Sequence, residues 1–220
     1  MGQDLINCHP MTALAWPLLP ETHLLPRLGL GEPVVYAAAR IGEVPRERLA
    51  ACLLKALAAA APQWTVALDW GAPSLDADAL GRPLFRLGAK PGPGISFSQT
   101  GDLVWGALIG EGQVGLDAAR EEDLAPPYPY ARVFGPEEWD WAWRHCQGRT
   151  ASAAALLWAA KEAVVKALGL GFHALNPRDL QVALLAPAFD GLQLSVRVPP
   201  REVKTWARPW PQGWLALAAV

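Results

Sequence analysis

The sequence predicts an α+β fold of two similar halves, residues 1–110 and 111–220, each with one main helix on a small antiparallel sheet. Three observations lead there. Short alternating or apolar runs bounded by Gly, Pro and Asp recur along the chain, as strands joined by tight turns do. Two longer stretches have helical spacing, 46–60 and 152–168, one in each half. A chain of 220 residues that is 52% hydrophobic is also large enough to bury a proper core. No internal sequence repeat links the halves.

In chain order, 12–19 and 33–40 read as strands. In the helix at 46–60, Leu49, Leu53, Leu54 and Leu57 fall at helical spacing and Pro45 stands just before it. The run 64–70 has the composition of another strand, and 72–90, broken by Gly, Pro and Asp, reads as loop with short extended pieces. Three strands follow, 94–98, 103–109 and 113–117, with Thr100-Gly101-Asp102 and Gly110-Glu111-Gly112 as the turns between them. A loop spans 118–129 and ends rich in proline. Pro136-Glu137-Glu138 opens a helix, with Pro in the first turn and acids where the helix dipole favours them. The helix at 152–168 stops at Gly169 and Gly171, and strands at 180–185, 192–198, 203–207 and 214–220 complete the second half.

Composition excludes several functions. The 19 basic and 21 acidic side chains leave a charge of −2, so no bulk field holds nucleic acid or an anionic membrane, and an anionic ligand needs a local site. Mean hydropathy of +0.14 with 18% charged residues excludes a disordered chain. Cys8, Cys52 and Cys146 are far apart and odd in number, which fits a reducing cytoplasm better than a disulfide framework or a CxxC metal site. Pro10, Pro17 and Pro20 interrupt an N-terminus that has no basic segment before an unbroken apolar stretch, so no signal peptide is expected, and no run is long enough to span a bilayer. There is no Walker loop, nucleophile elbow or HExxH, and His9, His23, His145 and His173 lack metal-ligand spacing. Trp139, Trp141 and Trp143 spread around a helix and make no stacking platform.

The chemistry concentrates on the helix at 152–168. Leu156, Leu157, Ala160, Ala163, Val164, Ala167 and Leu168 form its apolar stripe, while Trp158, Glu162 and Lys166 stand four apart on another face. A solvated Glu–Lys pair would account for two of them. Yet the chain has five lysines against 14 arginines, and two of the five lie on this helix. An arginine-preferring sequence that keeps Lys here points to a compact charge, as at a phosphate or a proton-transfer site. Val114-Gly115-Leu116-Asp117 reads as a buried strand ending in a carboxylate. Two carboxylates, a lysine and a hydrated divalent ion suit a pyrophosphate, because Mg²⁺ takes few protein ligands plus substrate oxygens.

Gly115-Leu116-Asp117, followed about 40 residues later by Trp158-x-x-Lys161-Glu162-Ala163-x-x-Lys166-x-x-Gly169-x-Gly171-Phe172, resembles the paired motif of the 4′-phosphopantetheinyl transferases. The resemblance is to the surfactin-synthetase-activating class, pseudo-dimers of about this length, and implies two halves related by a pseudo-twofold. It takes in Arg132-Val133-Phe134-Gly135-Pro136-Glu137-Glu138, similar to the family's Arg-x-Phe-x-x-x-Glu segment, and Ser98-Gln99-Thr100-Gly101, similar to its Ser-His-Ser-Gly turn. Gly81-Arg82-Pro83 resembles its Gly-Lys/Arg-Pro element, so the likeness covers roughly residues 81–172.

The resemblance implies transfer of the 4′-phosphopantetheine arm from coenzyme A, with Mg²⁺, to a serine of an acyl or peptidyl carrier protein, releasing adenosine 3′,5′-bisphosphate. It implies that Asp117 and Glu162 hold the metal, that Glu162 is the candidate base and that Lys166 binds the pyrophosphate. Arg82, Ser98 and Gln99 would lie near coenzyme A. Lys161 matches a family lysine near the site, although its place on the helix fits a structural role equally well. A cytoplasmic monomer is expected. The departures are Ala119, where many relatives carry a second acid that Glu121, Glu122 or Asp123 would have to replace, and Gln99 in place of histidine. The basic segment for the 3′-phosphate is not evident, leaving Arg40 and Arg46 as candidates. A degenerate member that binds coenzyme A or a carrier protein without catalysis is the alternative.

Overall fold

The computed structural model describes residues 23–25, 33–69, 71–172, 174–188 and 190–220. The strand expected at 12–19, with His9 and His173, lies outside them. The first half runs β1 (His23–Leu25), β2 (Val34–Arg40), α1 (Arg46–Ala60), a 3₁₀ stretch (Pro62–Asp69), β3 (Pro73–Ala77), β4 (Pro83–Leu87), β5 (Lys90–Pro91), β6 (Gly94–Thr100) and β7 (Leu103–Ile109). The second runs β8 (Val114–Arg120), α2 (Tyr130–Val133), α3 (Pro136–His145), α4 (Thr150–Ala167), β9 (Gln181–Ala188), β10 (Gly191–Val198), β11 (Arg201–Trp210) and β12 (Gly213–Ala219). The strands form three sheets ordered β1-β2-β7-β6, β8-β12-β11-β10-β9 and β3-β4-β5, and every pairing is antiparallel. Helices on antiparallel sheets make an α+β protein. No helix among the described residues is long and apolar enough to cross a membrane.

Strand alternation explains the layers. On β2, Val35 and Ala37 face α1, while Val34, Tyr36 and Ala38 point the other way. On β8, Val114, Leu116 and Ala118 join that same inner core, with Trp105 of β7 and Trp206 and Trp210 of β11. The two large sheets therefore meet face to face, with α1 outside the first and α4 outside the second. Burial on both faces is why these strands read as nearly continuous apolar runs. At one corner the edge strands β6 and β8 lie side by side without a backbone ladder. Ser96 Oγ accepts the Leu116 N–H at 3.0 Å and Ser98 Oγ accepts the Ala118 N–H at 3.2 Å, satisfying groups that an edge strand would leave unpaired.

Three expectations need correction. Of the strand expected at 64–70, the described residues 64–69 form 3₁₀ turns instead: Pro62 starts them directly after α1, with the Trp64 N–H on the Ala61 carbonyl at 2.9 Å. Trp64 packs on the α1 core and against Gly110, and that anchoring outweighs local β-propensity. Residues 72–90 carry a true hairpin, β3 paired with β4. And β8 does not end at Asp117, because its partner β12 continues the ladder to Gly213 opposite Arg120, which places Asp117 mid-strand.

In the second half α4 lies very close on β8. A Cβ at Gly115 would stand 1.8 Å from the Ala163 carbonyl oxygen and 2.5 Å from the Ala167 nitrogen, so only glycine fits. Gly115→Ala is expected to lower Tm by about 2–12 °C, since overpacking of this kind costs roughly 1–3 kcal/mol. An unchanged Tm by calorimetry would refute the constraint.

Tyr36 is fully buried between the sheets, and its hydroxyl accepts a 2.8 Å bond from Arg208, which also pairs with Asp190 at 3.1 Å. Burial pushes the phenol up to about 12, with Arg208 opposing. An unfolded tyrosine ionises near about 10, so the unfolded chain releases this proton first, and the contribution is complete below that pH and lost by about 12. Tyr36→Phe should therefore flatten the fall of the denaturant midpoint across this window. Equal slopes for variant and wild type would contradict the assignment.

Candidate functional site

Between Ser152 and Ala167 every residue of α4 is buried except Trp158, Glu162 and Lys166. The face singled out by spacing is thus the one strip of the helix left open. Because Gly115 lets α4 sit tightly on β8, Lys166 reaches the strand and its ammonium donates to Asp117 Oδ1 at 2.7 Å and to the Leu116 carbonyl at 3.1 Å. Asp117 is 7% exposed, and the same Oδ1 accepts the Ser98 hydroxyl at 2.9 Å. Burial, then the neighbouring Asp117 charge, holds the Glu162 carboxyl above its ordinary value, with Lys166 pulling the other way. The result is two carboxylates and one lysine in a half-buried cluster.

Lys166 also lines a cleft of about 600 Å³. Its walls come from the start of α1 (Arg46, Glu47), the β3–β4 tip (Leu80, Gly81, Arg82), β6 (Ile95, Ser96, Phe97) and the segment after α4 (Gly169, Leu170, Gly171). The volume lies within the range of about 300–1,000 Å³ usual for ligand sites. The α4 end is shaped by Gly169 at φ +68, with the Leu170 N–H on the Val165 carbonyl and the Gly169 N–H on the Lys166 carbonyl. This glycine cap turns the chain out along the cleft wall. The Arg82 side chain stands over Gly169, where a Cβ would be 2.7 Å from Nη1, and donates to Gln113. Arg46 lies over the Phe97 ring, 5.5 Å from its centroid. Three cations, Arg46, Arg82 and Lys166, therefore share one cleft.

Other sequence candidates are placed elsewhere. Ser98 donates to Asp117 and accepts from Ala118, so its hydroxyl orients the acid and does not line the cleft. Gln99 is exposed on β6 outside the cleft lining, and Arg40 is exposed, 3.9 Å from Asp102. The acids after Ala119 are drawn away: Glu121 pairs with Arg149 at 3.3 Å, and Arg120 pairs with both Glu122 and Asp123. Four residues of strand also carry Glu121 roughly 13 Å beyond Asp117. Ala119 itself is 7% exposed in the core facing α4.

Lys161 is enclosed, 0% exposed, on a different side of α4 from the open strip. Its ammonium pairs with Glu138 and donates to the Val133 and Pro177 carbonyls at 3.1 and 2.8 Å, filling its three donors. Glu138 in turn accepts the Gly135 and Val182 N–H groups at 2.7 and 2.8 Å. The pair ties α3, α4 and β9 together, and burial lowers the Lys161 pKa against the pull of Glu138. Lys161→Met should destabilise by about 3–5 kcal/mol by stranding a buried carboxylate, and adding Glu138→Gln should restore part of the loss. Denaturant unfolding checks this; a normal unfolding midpoint for Lys161→Met would show that the lysine is not a framework residue.

Residues 113–208 match the family model described as the 4′-phosphopantetheinyl transferase superfamily. No curated protein matches the chain. The match supports that superfamily, and a transferase of the phosphopantetheinyl type, from a stretch that contains Asp117, Glu138, Lys161, Glu162 and Lys166. Arg46, Arg82, Ser98 and Gln99 lie before it. Sequence reasoning gave no weight to Leu80, beside the Gly81-Arg82 turn, or to Gln113, two residues before Gly115.

Proposed function

We propose that this chain transfers the 4′-phosphopantetheine arm of coenzyme A to a serine of an apo acyl or peptidyl carrier protein, releasing adenosine 3′,5′-bisphosphate. The observation that carries the reading is that Lys166, bonded to Asp117 and acting on Glu162, lines a cleft that also holds Arg46 and Arg82. Coenzyme A is a polyanion with an apolar adenine face, and the cleft offers cations beside Phe97, Ile95 and Leu80. The Asp117 and Glu162 carboxylates suit Mg²⁺, since the Asp117 charge raises the Glu162 carboxyl and a cation beside the two would relieve it. Among the described residues no group of three or more acids, His or Cys could hold a metal, so water and substrate oxygens would complete the shell, as Mg²⁺ allows. When bound, the ion would neutralise charge on the pyrophosphate.

The chain's own residues do the rest. Arg46, Arg82 and Lys166 hold the phosphates, Arg46 being the candidate for the 3′-phosphate. Lys166 exchanges Asp117 for a substrate oxygen, which its flexible stem permits, and stabilises the leaving phosphate. Glu162 takes the serine proton as the hydroxyl oxygen attacks the phosphorus on the pantetheine side, and adenosine 3′,5′-bisphosphate leaves. Ser98 orients Asp117, and Lys161 secures the helix. We read residues 1–110 and 111–220 as halves related by a pseudo-twofold, which the long helix outside each large sheet supports. One chain supplies the whole cluster, consistent with a monomer, and the proposed setting is the cytoplasm.

One observation favours a second reading, binding without catalysis: no downstream acid replaces the one missing at Ala119. A fluorescent coenzyme A analogue, a panel of apo-carrier proteins and a chelator control separate the two. Label on a carrier, lost with chelator, is expected; coenzyme A binding without label on any carrier would favour the second reading. Glu162→Gln should cut transfer by about 100-fold or more with the fold intact, and a loss within about threefold would end its role as base. Lys166→Ala should raise KM for coenzyme A and lower kcat, each by about tenfold, because its charge meets the phosphates in both ground and transition states.

A further inference from the structure

The tip of the β3–β4 hairpin is built around one carboxylate that does not line the cleft. Asp78 Oδ1 accepts two backbone N–H groups, from Leu80 at 2.8 Å and from Arg82 at 2.9 Å. The Asp78 main chain closes the same turn, its N–H donating to the Arg82 carbonyl and its carbonyl accepting from Gly81, both at 3.0 Å. Gly81 sits at φ +79, and a Cβ there would meet nothing within 4 Å, so no packing at Gly81 itself holds the turn. Leu80, Gly81 and Arg82 all line the cleft, and Asp78 does not. From this tip Arg82 extends across to Gly169 on the facing wall and donates to Gln113.

We infer that Asp78 is a positioning residue for Arg82: its carboxylate holds the Arg82 backbone so that the guanidinium stands in the cleft ready for an anionic ligand. The inference rests on the reading of the cleft as the coenzyme A site. An aspartate that accepts two main-chain N–H groups of a turn fixes local geometry that an exposed Gly-containing tip lacks alone. Removing the acceptor frees both N–H groups to water, lets the turn sample other conformations and spreads the guanidinium over more positions. The hairpin ladder itself does not depend on this side chain, since five residue pairs join β3 to β4.

Coenzyme A binding by titration calorimetry, without carrier protein, tests this on wild type, Asp78→Ala, Asp78→Asn, Arg82→Ala and the Asp78→Ala/Arg82→Ala double variant, with Tm recorded for each. Asp78→Ala should weaken binding by about five- to tenfold with Tm nearly unchanged, and raise KM without lowering kcat. Asp78→Asn keeps the acceptor oxygen and should stay within about twofold of wild type. Because Asp78 acts through Arg82, the double variant should bind no more weakly than Arg82→Ala alone. Wild-type affinity in Asp78→Ala, an Asn variant as weak as the Ala variant, or losses that multiply in the double variant would each overturn the inference. If wild-type protein does not bind coenzyme A, the cleft assignment falls first and the inference with it.

Discussion

The arrangement depends on how closely α4 can lie on β8. Gly115 removes the one Cβ that would strike the Ala163 carbonyl, and the helix meets the sheet with Ala153, Ala159, Ala160, Ala163 and Ala167, all at or near zero exposure. With so little side-chain bulk between them, the helix axis drops towards the strand. A lysine on the rim of that contact can then reach a strand carboxylate and a strand carbonyl together. A larger residue at position 115 would lift α4 and separate Asp117 from both Glu162 and Lys166. The site is therefore a consequence of backbone proximity before it is one of charge.

The two lysines of α4 show how position decides the role of a side chain. Lys161 is wholly enclosed, with a carboxylate and two carbonyls saturating its donors and the Phe134 ring 5.2 Å away. Such a group cannot exchange partners without leaving Glu138 charged and unpaired, which suits a framework and not a ligand site. Lys166 keeps 29% of its side chain exposed and holds its partner at the edge of a cleft. Its bonds can be exchanged for a substrate oxygen at modest cost, because solvent and a flexible stem remain available. Five residues along one helix separate a strut from a movable charge.

The seam between the sheets adds a second coupling. Ser96 and Ser98 satisfy backbone N–H groups on the edge of β8 and, through Ser98, fix the orientation of Asp117. The acid is thus held by one residue from the first half and one from the second, while the cleft beside it has walls from both. Burial of the strands on both faces keeps these edges in place.

Local pattern was enough to determine α1 and α4, the glycine stop after α4, the open strip of Trp158, Glu162 and Lys166, and most strands of the second half. Helical spacing, strand alternation and turn residues are short-range properties, and they survive folding when tertiary contacts agree with them. The same local view misread 64–69, where the Trp64 ring is claimed by the α1 core, and stopped β8 at Asp117, because only the β12 partner shows that Ala118 and Ala119 continue the ladder. It could not divide Lys161 from Lys166, since the difference lies in what Glu138, Val133, Pro177 and Asp117 bring from distant parts of the chain. Nor could it bring Arg46 and Arg82 into one cleft with Lys166, over a hundred residues apart in sequence for Arg46. Which residues form elements was written in neighbouring side chains; which residues share a site was decided only when α4 settled onto β8 and the two sheets met, because burial, bond saturation and charge coupling are properties of the assembled environment.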